Sequence, residues 1–171
     1  MAPTQSTMTA EFMHYNRWAN LVLLDACSGL SDEQLESGLP GSFGTIYDTF
    51  VHLIRAEAGY YRRLANVRLD PPFAWDSRPT LTAMRPYADQ VGSALVAAAE
   101  QLDPAGAIEQ EWDGQVHRYR AAALFIQAVN HGIEHRTNIT TILAQLGIEP
   151  PAVDGWGYMM AQPGRMGASE Q

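Results

Sequence analysis

The chain has no lysine. All eleven of its basic residues are arginines, set against nineteen acids, for a formal net charge of −8 over 171 residues. Binding to a nucleic-acid backbone needs clustered positive charge that displaces counterions, so this balance disfavours a nucleic-acid partner. It still leaves room for a small basic pocket. Cysteine is nearly missing as well. Cys27 stands alone, which excludes an internal disulfide framework and fits a reducing compartment. It falls in the apolar run LVLLDAC, where a small core residue is a commoner finding than a reactive thiol. No window approaches the roughly 18 unbroken apolar residues of a membrane span. The opening MAPTQSTMTAEF lacks the charged start and apolar stretch of a secretory signal. These absences lead us to expect a cytoplasmic protein with no membrane partner.

What is present is apolar content, 46% of the chain, enough for one domain with a sizeable core and hardly enough for two. Helical periodicity places a first helix over 9–28, with Phe12, Tyr15, Ala19, Val22, Leu23 and Ala26 on one stripe and Gly29 as its stop. Ser31 and Gln34 form a capping-box pattern for a short turn. A second long helix starts from Thr45, with Ile46, Phe50, Leu53, Glu57, Tyr60 or Tyr61, and Leu64 roughly along one side. Prolines break LDPPFAWDSRPT, and a third helix is expected from about Thr82, with Pro86 in its first turn.

Asp113-Gly114, between Ile108/Trp112 and Val116/Tyr119, is a two-residue hairpin signal. A fourth long helix covers about 120–146 and ends at Gly147. The expected architecture is all-α: a four-helix bundle with a small β-hairpin before the last helix. Residues 1–150 make the domain and 151–171 a C-terminal tail that packs loosely, meets a partner or folds back. The second-to-third connection is long enough to cross the bundle.

The candidate chemistry lies in histidines. On the fourth helix Leu124, Ala128, His131, His135, Ile142 and Leu146 fall on one stripe, so both imidazoles point with the leucines. Residues four apart stack on a helix and can hold one ion between them. Hydrogen-bonded core histidines give the same pattern, and the pair alone does not decide between them. His52 adds weight. It sits midway along the second helix on a face with Thr45, Thr49, Ala56 and Gly59, small residues that leave room where an ordinary core would place leucine. Three imidazoles in a bundle centre suit zinc, nickel, copper or iron(II), and three protein ligands leave a coordination position open.

Asp48, one turn before His52, is a candidate to accept that ring's other N–H, or simply a first-turn acid favoured by the helix dipole. Arg55 and Arg136 are candidates to clamp a substrate carboxylate, with surface ion pairing as the alternative. His14 is a candidate to approach from the first helix, with a solvated boundary position as the alternative. His117 is expected to be exposed on the hairpin.

The residues also carry a resemblance. YNRWAN (Tyr15–Asn20), GSFGTIYDTFVHLIRAE with its central histidine, and NHGIEHR resemble, in that order, the DinB/YfiT-like family of small metal-binding four-helix bundles. The likeness runs from about residue 8 to 150 and includes the hairpin. It implies a metal site of His52, His131 and His135 holding zinc or nickel, and often a homodimer. Family members with an assigned activity transfer or use low-molecular-weight thiols such as bacillithiol or mycothiol, and the metal is thought to activate the thiol. The expected function is therefore thiol S-transfer to an electrophilic small molecule in detoxification. The alternatives are a non-catalytic metal- or ligand-binding stress-response protein, a metal-dependent hydrolase, or histidines that only pack.

Overall fold

Three threonines start three of the long helices in the same way. Thr7, Thr45 and Thr80 each hold an extended backbone, and each hydroxyl accepts the N–H three residues on. The chain, seen in a computed structural model that describes residues 7–162, then follows a regular order. Helix α1 spans Met8–Cys27, α2 is the short Asp32–Leu35, α3 spans Ile46–Ala65 and α4 spans Leu81–Gln101. Strands β1 (Ala107–Trp112) and β2 (Gln115–Arg120) precede α5 (Ala121–Gln145), and α6 is Gly155–Met160. The fold is an all-α four-helix bundle with one small hairpin.

Local chemistry explains each boundary. The Ser31–Gln34 capping box forms in both directions, at 3.2 and 2.9 Å. Asp113 and Gly114 take φ of 54° and 71°, the mirror-image turn whose twist suits a two-residue hairpin, and Ala107 pairs with Arg120 through to Trp112 with Gln115. Helix α5 stops at Gly147, whose φ is 73°.

The long helices contact one another in the cyclic order α1, α4, α3, α5, so α1 lies diagonally across from α3 and α4 across from α5. The connections that cross are therefore 28–45 and 102–120. The 66–80 segment, long enough to cross, joins neighbours instead. Its length goes into a wall: Phe73, Trp75 and Tyr87 meet edge to face at 5.0–6.1 Å, and the Tyr87 hydroxyl donates to the Leu69 carbonyl at 2.8 Å.

Three further expectations are corrected. The buried face of α1 runs through Ala10, Met13, Asn16, Asn20, Leu24 and Cys27, whereas Phe12 and Ala26 are exposed. Two asparagines belong to the buried face, so counting apolar residues shifts it. Helix α4 begins behind Thr80, so Pro86 falls in the second turn; both Pro86 and Thr82, whose carbonyl loses its bond, face solvent, and the helix continues. Leu146 is exposed at the end of α5.

Residues 150–162 fold back. Tyr158 is buried against Tyr15 and Trp18 and bonds Glu11 at 2.9 Å, while Trp156 and Met160 stay exposed. The tail's Pro163 and Gly164 lie outside the described residues. Among the described residues no helix is long and apolar enough to cross a membrane.

Candidate metal centre

His131 and His135 are one turn apart on α5 and both buried; His52 reaches them from the middle of α3 and is half-buried. Their Nε2 atoms converge. His52 Nε2 lies 2.9 Å and His135 Nε2 3.0 Å from His131 Nε2. The rings stand at steep mutual angles of 46–71°, so their nitrogens are aimed at a shared point and the planes are not stacked.

All three rings resist protonation. Burial, then the neighbouring His135 and His52, pulls His131 down to about 4. Burial and then Arg55 lower His52; burial and then His52 lower His135, against an opposing pull from Glu134. Near neutral pH the site therefore holds three neutral imidazoles, the form that offers a lone pair to a metal.

A neutral ring has one lone pair and one N–H. Hydrogen bonding alone suits this cluster poorly, because His131 Nε2 faces two other nitrogens at once. A cation among the three Nε2 atoms would use every lone pair and turn each Nδ1–H outward. The donor set thus fits a divalent transition metal, and the three residues could hold one. The Nδ1 atoms of His131 and His135 are buried without a protein partner among the described residues.

Two aromatic rings frame the cluster. Phe43 stacks on His52 at 4.1 Å and sets its ring edge-on to His135 at 5.0 Å, while Tyr60 stands edge-on to His131 at 5.8 Å. Phe43 is half exposed. Its loop is held by Ser42, whose hydroxyl donates to the carbonyls of Leu39 and Gly44, and by a bridge between Gly38 and Thr45. The family model described as the DinB family matches residues 3–168, nearly the whole chain.

The chain belongs to the DinB family. No curated protein matches it.

The other candidate residues of this DinB protein are dispersed. Asp48 is exposed; its backbone N–H bonds Thr45 Oγ1, and among the described residues it makes no hydrogen bond to His52. Its position is that of a first-turn acid. His14 is half-buried on α1 and does not join the cluster. His117 is half-buried where exposure was expected. Arg55 is exposed and lies over Trp75, 5.7 Å from its ring centroid.

Arg136 is neither at the surface nor beside the imidazoles. It is 2% exposed and anchors a buried polar network. Its Nη1 donates to Asn16 Oδ1 at 2.8 Å and to Asn20 Oδ1 at 2.6 Å. Both asparagines donate in turn to Glu57 Oε1, at 2.6 and 2.7 Å. Two amides thus relay an ion pair that makes no direct contact. Burial raises the Glu57 carboxyl, and the two amides and then Arg136 oppose that rise. The network ties α1 to α3 and α5. It also explains Gly132, where a Cβ would come within 2.6 Å of Arg136 Nη1 and closer still to Asn16 Oδ1.

Phe43 and this network are not anticipated by the sequence, and Tyr60 is placed there only on a helix stripe, not beside His131. Glu57 on an otherwise apolar helix stripe was the available signal for the network.

Proposed function

We propose that this DinB-family protein is a metal-dependent transferase that joins a low-molecular-weight thiol to an electrophilic small molecule. His52, His131 and His135 would hold the metal, with zinc or nickel as the candidates. The observation carrying this reading is the convergence of three neutral Nε2 atoms, one of them on a half-buried ring reachable from outside. Three protein ligands leave a position for an added group. A divalent cation supplies one thing here: it lowers the proton affinity of a thiol, so that the sulfur is a thiolate near neutral pH.

The chain's residues supply the rest. Burial keeps the imidazoles unprotonated, and Phe43 offers an apolar flank for the electrophile's carbon skeleton. In the transfer the sulfur lone pair forms the new S–C bond, the leaving group departs with its electron pair, and the thiol proton passes to solvent. Hydrolysis would want a general base for water. Among the described residues the cluster contains no carboxylate, Glu57 is committed to two asparagines, and Asp48 and Glu134 face solvent, which favours transfer.

The test is turnover of monochlorobimane with bacillithiol or mycothiol, alongside elemental analysis of untagged protein. We expect about one equivalent of metal, and loss of both metal and turnover in His131→Ala and His135→Ala. Turnover that survives those substitutions or full metal removal contradicts the proposal. Metal binding with no turnover on any electrophile would favour the non-catalytic metal- or ligand-binding stress-response protein.

We also propose that two copies pair. Met8, Phe12, Ile126 and Ile133 are exposed around a groove of about 430 Å³ between α1 and α5, and among the described residues no charged one lines it. Two molecules of charge −8 repel over most of their surfaces, so an uncharged apolar face is where a second copy fits. Light scattering after size exclusion should give a dimer for the native chain and a monomer for Phe12→Glu/Ile126→Glu. A native monomer at all concentrations rejects the pairing.

A further inference from the structure

A second cleft, of about 300 Å³, lies between α3 and the 66–80 segment, and none of the three clustered imidazoles lines it. Arg55, Gly59 and Arg62 follow one another along one face of α3, at spacings of four and three, and form its floor. Leu69, Trp75 and Tyr87 form its wall. Arg68 also lines it and is paired with Asp70 at 2.6 Å. The pattern is unusual for this molecule. The chain carries nineteen acids against eleven arginines, yet among the described residues three guanidiniums and no carboxylate line this space. Among the described residues neither Arg55 nor Arg62 has a carboxylate partner.

We propose that the cleft is a binding site for a small organic anion with a flat apolar body, such as an aromatic carboxylate or phosphate monoester. Two unpaired guanidiniums supply forked donors for the anionic group. Gly59 lies on the floor between them and adds no side chain of its own; a Cβ there would come 3.1 Å from Arg63 Nη1. The apolar body lies on Leu69 and the edge of the aromatic wall. That wall is fixed before any ligand arrives, by the packing of Phe73, Trp75 and Tyr87 and the Tyr87–Leu69 bond. Arg55 is held too, by its place over Trp75. A preorganised cleft loses less on binding than one that must be ordered. The volume is at the lower end of the range of small-molecule sites, which sets the ligand's size.

The site does not depend on metal at the histidines, and its test is arranged to be separate. Phenyl phosphate, benzoate, inorganic phosphate and benzyl alcohol are titrated into the full chain by calorimetry and by tryptophan fluorescence. We expect saturable binding of one or both aromatic anions, weaker binding of inorganic phosphate and none of benzyl alcohol. Arg62→Ala should lower affinity by about tenfold, the loss of one charge-assisted contact. Gly59→Leu keeps every charge and adds bulk at a residue that lines the floor, so it should weaken binding while the helix stays folded. His131→Ala, which removes one member of the imidazole cluster, should bind as the native chain does. Absence of saturable binding by either aromatic anion overturns the proposal, as does native affinity in Arg62→Ala or Gly59→Leu.

Discussion

Glu57 shows how much a single side chain can carry in this molecule. Its carboxylate is fully enclosed, and both amides that satisfy it also satisfy Arg136. Removing one end of such an arrangement strands the other charge out of reach of water. Breaking a buried pair in this way costs about 3–5 kcal/mol, far more than an exposed ion pair contributes. Glu57→Ala should therefore destabilise the fold by about that amount in urea or thermal unfolding. Asn16→Ala, which removes one of two parallel amides, should cost about 1–3 kcal/mol. Because the groups share partners, the double substitution should cost less than the sum. A loss below about 1 kcal/mol for Glu57→Ala would show that the network adds little to stability.

At the scale of elements, periodicity and caps made four helices and a hairpin legible from residue types alone. Thr45, the Ser31–Gln34 box, Asp113-Gly114 and Gly147 act locally, so no knowledge of the fold is needed to read them. The face of α1 was not legible in the same way. Asn16 and Asn20 are polar residues in buried positions, and only their partners on α3 and α5 show why. The route of the chain around the bundle was hidden for a related reason: a segment's length does not say whether it crosses the core or builds a wall on one side. The imidazole cluster was readable in part, since His52, His131 and His135 stand on helix faces fixed by spacing. Phe43 was not, because it lies in a loop whose shape depends on the Ser42 bonds. The sequence offers Arg136 as a substrate clamp or a surface ion pair, because nothing in NHGIEHR discloses that asparagines from α1 await it inside.

For the molecule as a whole, the imidazole cluster should set how stability responds to acid. The sign follows from the shifts. All three rings bind protons less readily in the folded chain than in the unfolded one, where an ordinary value of about 6.5 applies. Protons therefore favour the unfolded state, and the metal-free fold should weaken as pH falls below about 6.5. For His131, held down to about 4, the loss is complete only near that pH and amounts to roughly 3 kcal/mol. Above about pH 7 these groups contribute no slope. Carboxylates elsewhere also titrate toward the acid end, so the informative quantity is a difference between variants. His131→Leu should flatten the stability curve between pH 6.5 and 4 relative to the native chain, both stripped of metal with a chelator. Added zinc or nickel should stabilise the native chain and not the variant, by an amount that shrinks as acid competes for the same nitrogens. Parallel curves for the two proteins, with no response to either metal, would mean that these rings do not act as one proton- and metal-linked unit.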